Sequence, residues 1–246
     1  MILDDFNDRF AIVAHRGNSA HFKPNSRAAF VSALESGADL IQTDVQRCAN
    51  GVLFCTGDTL VAGRLVGAMG REALQDAGVV PLYELMALAK RANKGLLLTP
   101  QSTHSSLTQR IAGDARFFNM HDRVAVVAHS LKHTKDIRAQ SAALGIVGIL
   151  RQPEHYAAFF KAGGNVSTLR QYTTTPANVR LAEAAQGRHR HPFWVLANDA
   201  GIRDVFNAHD GLIGASGMVM KDPAVGREAL RRVGAFSPAF ARSCPD

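Results

Sequence analysis

The chain of 246 residues is 46% hydrophobic and 20% charged, which excludes disorder and collagen-like repetition and suits a single globular domain over residues 1–246 with a large core. No apolar run approaches the roughly 20 residues of a transmembrane helix, and Met1-Ile2-Leu3-Asp4-Asp5 puts acids where a signal peptide is basic, so a cytoplasmic location is expected. The balance of 28 basic to 21 acidic residues, net +7, favours anionic partners, but the densest basic cluster, Arg188-His189-Arg190-His191, lacks the aromatics of a base-stacking surface, which argues against nucleic acid.

Strand-like and helix-like segments alternate along the chain. A strand over Phe10–Ala14 ends at His15-Arg16-Gly17, and a helix from about Ser26, with Ala29, Phe30, Ala33 and Leu34 at amphipathic spacing, stops at Gly37. A strand over Asp39–Val45 follows. Val52–Thr56 reads as an extra strand joined to it by a hairpin turn at Asn50-Gly51. Residues 57–80 are glycine-rich and weakly periodic, a surface insertion, and Pro81 opens a helix whose Leu82, Leu85, Met86 and Ala89 share one face. Further strands are expected over Leu96–Thr99, Val124–Ala128, Ile146–Leu150, Val166–Leu169, Phe193–Ala197 and Met218–Met220, with helices over Lys132–Leu144, Pro153–Ala162, Pro176–Gln186 and Gly201–Ala208 among the segments between them. Eight βα units in this length describe an α/β protein of the (β/α)8 TIM-barrel class, with a short insertion after the second strand. Cys48, Cys55 and Cys244 match neither a metal knuckle nor a redox pair and read as reduced thiols.

Such barrels place their chemistry at the C-terminal strand ends. There the chain offers His15 and Arg16, then Gln42, Asp44 and Gln46, then Thr99 and Gln101, then His129 and Ser130. Arg151-Gln152, Arg170-Gln171, Asn198-Asp199 and Lys221-Asp222 complete the rim. Arginine forks and a lysine with few carboxylates suit an oxyanion such as phosphate, although only alternate strand residues point inward. An imidazole beside a guanidinium, His15-Arg16, can move a proton on a phosphate that the arginine holds. Asn25-Ser26 also reads as a helix N-cap.

Ala14-His15-Arg16-Gly17, Asn25-Ser26 with Ala28-Ala29-Phe30, Ser36-Gly37-Ala38-Asp39, Asp44-Val45-Gln46, Asn50-Gly51-Val52-Leu53 and Asp58-Thr59-Leu60 together resemble the opening of a glycerophosphodiester phosphodiesterase. Val80-Pro81-Leu82-Tyr83-Glu84-Leu85, Asn198-Asp199 and Gly217-Met218-Val219-Met220 with Pro223 extend the resemblance, dense over residues 11–60 and collinear to about 225. It implies the same barrel, release of glycerol 3-phosphate from glycerophosphodiesters, two histidines as acid and base, and a divalent cation on three carboxylates.

Matched position by position, the resemblance makes His15 the first histidine, Arg16 the phosphate-binding arginine, and Asp44 one metal ligand. It also exposes departures. Gly57 stands where the second histidine precedes Asp58, Gln42 where a glutamate precedes Asp44, Thr99 and Gln101 where a carboxylate and a lysine end the third strand, and Pro24 where a glutamate precedes Asn25. Mg²⁺ and Ca²⁺ depend on carboxylate charge, which an amide and a hydroxyl do not supply, and loss of an acid-base partner typically costs about 10² to 10⁴ in rate.

The expectation is therefore a phosphodiesterase-like protein of lipid or glycerophosphodiester metabolism that binds a phosphorylated small molecule through Arg16, Asn25, Arg151, Arg170 and Lys221, with metal-dependent hydrolysis lost or much reduced. No cofactor is expected, with Mg²⁺ or Ca²⁺ the candidate should the family site survive. One alternative is an active phosphoric diester hydrolase in which His15 works with a relocated base such as His129 or His21, or with a relocated metal ligand such as Asp58 or Asp199. Another is a barrel that serves only as a scaffold for a protein partner.

Overall fold

The computed structural model describes residue 3 and residues 10–150, 154–169, 193–196 and 215–233. Strand β1 (Ala11–His15) leads through a loop into α1 (Arg27–Glu35) and β2 (Leu40–Arg47). The chain then reverses into β3 (Leu53–Cys55), makes a hairpin of β4 (Leu60–Val61) and β5 (Arg64–Leu65), and continues through α2 (Arg71–Asp76) and β6 (Val80–Pro81) into α3 (Leu82–Arg91). Next come β7 (Gly95–Pro100), α4 (Ser105–Phe117), β8 (Val124–Ala128), α5 (Leu131–Gln140), β9 (Gly145–Ile149), α6 (Glu154–Lys161) and β10 (Val166–Leu169), and finally β11 (Phe193–Leu196), β12 (Ala215–Met220) and α7 (Pro223–Val233).

Eight of these strands form a closed parallel ring. β1 pairs with β2 on one edge, Val13 against Leu40, and with β12 on the other, Ala14 against Met220. Parallel pairings then run from β2 through β7, β8, β9, β10 and β11 to β12. This is the TIM barrel that the strand count predicts.

Alternation along the strands divides the core in two. Ala11, Val13, Leu40, Leu97, Ala125, Val127, Val147, Val166, Trp194 and Val219 form one buried cluster, which Leu3 joins. Their neighbours Ala14, Ile41, Val45, Leu96, Leu98, Val124 and Val126 pack instead against Phe30 and Ala33 of α1, Leu82, Leu85 and Met86 of α3, and Ile111 of α4. The inner series thus runs through 11, 13 and 15 on β1, 40, 42 and 44 on β2, and 97 and 99 on β7. Continuing that phase puts His15, Gln42, Asp44 and Thr99 at its upper end.

Several details differ from the sequence reading. The turn at Asn50-Gly51 spans residues 48–52, closed by Cys48 N–H donating to Val52 O at 2.9 Å, with Gly51 at φ 81°. Residues 57–80 contain the β4–β5 hairpin and α2, elements too short for periodicity to announce. Helices α4 and α7 were not among the expected segments, while the helices expected over 176–186 and 201–208 lie outside the described residues. Cys48 and Cys55 are buried free thiols, and burial pushes the Cys55 thiol up to about 12, so it stays protonated. No helix among the described residues is long and apolar enough to cross a membrane.

The seam where the last strand meets the first is fixed at its lower end by Asp39, whose carboxylate is buried. Its Oδ2 accepts from Ile12 N–H at 2.9 Å and pairs with the Arg227 guanidinium of α7, which also donates from Nε to Gly37 O at 2.7 Å. Removing one partner leaves the other charge uncompensated, a loss of about 3–5 kcal/mol for a buried pair. Asp39→Ala is therefore expected to lower the urea-unfolding free energy by about that amount. An unchanged midpoint and slope would contradict this role.

Candidate functional site

The mouth of the barrel is organised around one carboxylate. Asp44 reaches it from β2 with its side chain only 5% exposed, and a buried carboxylate needs counter-charge or hydrogen-bond donors. Its Oδ2 lies 2.7 Å from Arg16 Nε and accepts from Asn25 Nδ2 at 3.2 Å, while Oδ1 accepts from Gln101 Nε2 at 3.1 Å. Asn25 is itself held by Thr43 Oγ1, which donates to its Oδ1 at 2.9 Å.

The loop after β1 is shaped to deliver the arginine. Arg16 takes φ 57°, Gly17 φ 78° and Asn25 φ 60°, and Asn25 N–H donates to Arg16 O at 3.0 Å across the loop. A Cβ on Gly17 would fall 2.6 Å from the Ala29 carbonyl carbon, so α1 packs on this turn only because the residue is glycine. Ser26 caps α1 by accepting from Ala29 N–H, which places the N-cap of the Asn25-Ser26 pair on Ser26 and leaves Asn25 for the site. A left-handed conformation at a non-glycine residue costs free energy and persists where its surroundings hold it. Here the Asp44 pairing and the crossing hydrogen bond do so.

Gln42 completes the inner layer. Its Oε1 accepts from Arg16 N–H at 2.9 Å and its Nε2 donates to Thr99 Oγ1 at 2.9 Å. The two positions where the resemblance places carboxylates are thus joined by a neutral hydrogen bond. Asp58 is exposed, with its backbone carbonyl accepting from Gln46 Nε2 at 2.7 Å. Among the described residues no three His, Cys, Asp or Glu side chains gather as a cation site. A hard divalent cation would have to strip Arg16 and two amides from Asp44 and would find no second carboxylate beside it among the described residues. The donor set does not fit Mg²⁺ or Ca²⁺.

Gly57 is part of the same arrangement. A Cβ there would lie 2.7 Å from Asp44 Oδ2 and 3.2 Å from Arg16 Nη2. The space that a side chain would need is taken by the ion pair. Asp44 therefore neutralises the charge of Arg16 in place. Reading Gly57 and Gln101 purely as losses was wrong, since one makes room for the pair and the other donates to it.

His15 ends β1 in register with Gln42, partly buried, and its carbonyl accepts from Ser19 Oγ at 2.7 Å. Of the proposed relocated bases, His129 has Nε2 3.0 Å from Pro100 O, so that nitrogen carries the proton, and its ring stacks on His133 at 5.8 Å. Burial, then the neighbouring His129, holds His133 below the ordinary histidine value. His21 Nε2 lies 2.8 Å from Asp222 Oδ2, a pairing that sequence reasoning missed because 201 positions separate the partners. Lys221 is exposed, with its carbonyl accepting from Ala20 N–H. Arg151, Arg170 and Asp199 lie outside the described residues.

Comparison with known proteins agrees with this architecture. The model of the Glycerophosphoryl diester phosphodiesterase family matches residues 15–143, slightly more than half of the chain. A Silicibacter pomeroyi structure assigned as a glycerophosphoryl diester phosphodiesterase superposes with a TM-score of 0.77 at 18% identity, over 95% of this chain and 98% of that one. A glycerophosphodiester phosphodiesterase from Parabacteroides distasonis gives 0.73 at 16%, over 93% and 98%. An Oleispira antarctica phosphodiesterase, solved with its product sn-glycerol-3-phosphate, gives 0.74 at 14%, over 93% and 99%. At these identities the likeness to each is one of fold.

If Gly57 and the ion pair share one space, their substitutions must be non-additive. Gly57→Ala is expected to cost about 1–3 kcal/mol as overpacking, and much less when combined with Asp44→Ala. Urea unfolding of the wild type, both single variants and the double variant measures the coupling. Equal costs of Gly57→Ala in the two backgrounds would show that the glycine is unrelated to the pair.

Proposed function

Because the chain belongs to the glycerophosphoryl diester phosphodiesterase family, we propose that its barrel mouth binds the phosphate of a glycerophosphodiester or related phosphorylated small molecule, and that it does so without a divalent cation. The carrying observation is the position of the Arg16 guanidinium. Nε is fixed against Asp44 at 2.7 Å, while the Arg16 side chain as a whole stays 39% exposed at the barrel mouth. A guanidinium held in direction and still open to solvent suits a tetrahedral oxyanion.

In this reading Gln42, Asn25, Thr43 and Gln101 are positioning residues. Asn25 and Gln101 donate to Asp44, Thr43 fixes Asn25, and Asp44 and Gln42 hold the side chain and backbone of Arg16. The product found in the Oleispira antarctica structure is of the same chemical class as the proposed ligand. Hydrolysis that depends on Mg²⁺ or Ca²⁺ has no support from the donor set, so this member is proposed to have lost it or kept a much reduced rate. Lys221 and, beyond the described residues, Arg151 and Arg170 remain proposed contributors to anion binding.

A second reading keeps metal-free phosphodiester cleavage, and the His21–Asp222 pair favours it. A carboxylate 2.8 Å from one ring nitrogen orients an exposed imidazole, the usual setting of a general base. His15 would then be the partner acid. Cleavage of bis(p-nitrophenyl) phosphate in excess chelator, lost in both His15→Ala and His21→Gln, would establish it. Cleavage that survives both changes, or none at all, dismisses it.

For the main reading, glycerol 3-phosphate titrated calorimetrically should bind the wild type with equal affinity in chelator and in added Mg²⁺ or Ca²⁺, and Arg16→Ala should weaken it by about tenfold or more. Glycerophosphocholine should release no detectable glycerol 3-phosphate in a coupled assay. The combined change Gln42→Glu, Thr99→Glu and Gly57→His is expected to gain Ca²⁺ binding first and hydrolysis second, since histidine fits at 57 only once a cation has replaced Arg16 on Asp44. Robust metal-stimulated turnover by the unmodified protein would refute the metal-free site.

A further inference from the structure

We propose that the mouth of this barrel docks on an anionic phospholipid bilayer through apolar side chains carried on one side of it by the connections after β12, β1, β2 and β8. The observation is where exposed apolar surface lies. Of six exposed large hydrophobic residues among the described ones, five lie on the connections that leave the mouth ends of strands, three to ten residues beyond them. Phe22 stands in the loop between β1 and α1, Leu60 and Leu65 in the hairpin that begins three residues after Gly57, Leu131 opens α5 after β8, and Val225 lies in the first turn of α7 after β12. Phe117, at the far end of α4, is the sixth.

The hairpin presents its leucines rigidly. Leu60 pairs directly with Leu65, Val61 with Arg64, and the two-residue turn between them has φ 48° at Ala62 and φ 74° at Gly63, the left-handed pair of a tight primed turn. Leu60 is 54% and Leu65 55% exposed on this small ribbon. Cross-strand neighbours that point the same way and touch water have no structural use in the isolated chain.

Charge selects the occupant. These loops expose Lys23, Arg64 and Lys221 against Asp58, Asp222 being held by His21, while Arg71, Glu72 and Asp76 are exposed on α2. Apolar tips on separate loops at a rim, interspersed with cations, match a flat surface that is apolar below and negative above. The tips lie on the connections after the neighbouring strands β12, β1 and β2 and after β8, along one side of the mouth. Docked this way, Arg16 faces the headgroup layer.

This proposal stands independently of phosphate binding in the pocket. Sedimentation of the full chain with vesicles of phosphatidylcholine and phosphatidylglycerol, against phosphatidylcholine alone, is the test. Binding is expected to the anionic vesicles, falling as salt rises. The Leu60→Ser, Leu65→Ser double variant should weaken it by about tenfold or more, and Lys23→Glu with Arg64→Glu should act similarly. The leucine variant should keep the wild-type melting temperature and glycerol 3-phosphate affinity, whereas Arg16→Ala should lose that affinity and still sediment. Failure to sediment with anionic vesicles, or equal sedimentation of the leucine variant, overturns the proposal. So does a dimer in gel filtration that the leucine variant converts to monomer, because a second copy would then cover these side chains.

Discussion

Closure of the parallel ring through β1 is the constraint from which the rest of the molecule follows. One short strand, Ala11–His15, has a neighbour on each edge, and one of them lies some two hundred positions away in sequence at Ala215–Met220. Such a contact is entropically costly to close, and side-chain pairs guard both of its ends. Asp39 and Arg227 tie β2, β1 and α7 below, and His21 with Asp222 ties the β1 loop to the end of β12 above. Arg16 and Gln101 both meet Asp44 because β1 and β7 are the two neighbours of β2. Closure adds the end of β12 to the same mouth, where Asp222 holds His21 of the β1 loop.

Within the ring, Asp44 explains why the departures from the family pattern occur together. A carboxylate this deeply buried is stable only with charge or donors around it. A cation supported by further carboxylates is one solution. A guanidinium and two amides are another, and the two exclude each other. With Arg16 on Oδ2, glutamates at 42 and 99 would bring extra unneutralised charge, whereas a glutamine and a threonine hydrogen-bond one another. A side chain at 57 would collide with the pair. A lysine at 101 could serve the same oxygen, but the present glutamine donates without adding charge. The neutral residues form one coherent set, consistent with replacement of one electrostatic solution by another.

Much of this was legible in the residues. Apolar runs placed the barrel strands to within a residue or two, save β12, which begins three residues before the expected Met218, and Ser26 and Gly37 bounded α1, because burial on both faces and caps leave strong local marks. Helix α4 escaped because Leu107, Ile111 and Ala115 follow a polar stretch, Ser102-Thr103-His104-Ser105-Ser106, that reads as loop. At the site, matching positions identified His15, Arg16 and Asp44 but described Gln101 and Gly57 only by what they lacked. A side chain's partner is set by three-dimensional proximity, which no spacing encodes for Gln101 on β7's continuation and Asp44 on β2. The His21–Asp222 pair was hidden for the same reason.

The neutralisation of Arg16 also decides how an anion can be held. Paired with Asp44, the guanidinium brings no net charge to its immediate surroundings, so long-range attraction from the pocket itself is small. What remains is short-range: donors fixed in direction by the strained β1 loop and by Asp44, which lose little freedom when a phosphate arrives. Drawing an anion or an anionic surface toward the mouth falls instead to exposed cations such as Lys23, Arg64 and Lys221, whose field extends about 8 Å at physiological salt. Capture and fixation are thus divided between the rim and the pocket. A rim that attracts negative charge and also exposes leucines favours phosphate presented on a surface over phosphate free in solution. The pocket, neutral before binding, would release what it holds as readily as the donors alone allow.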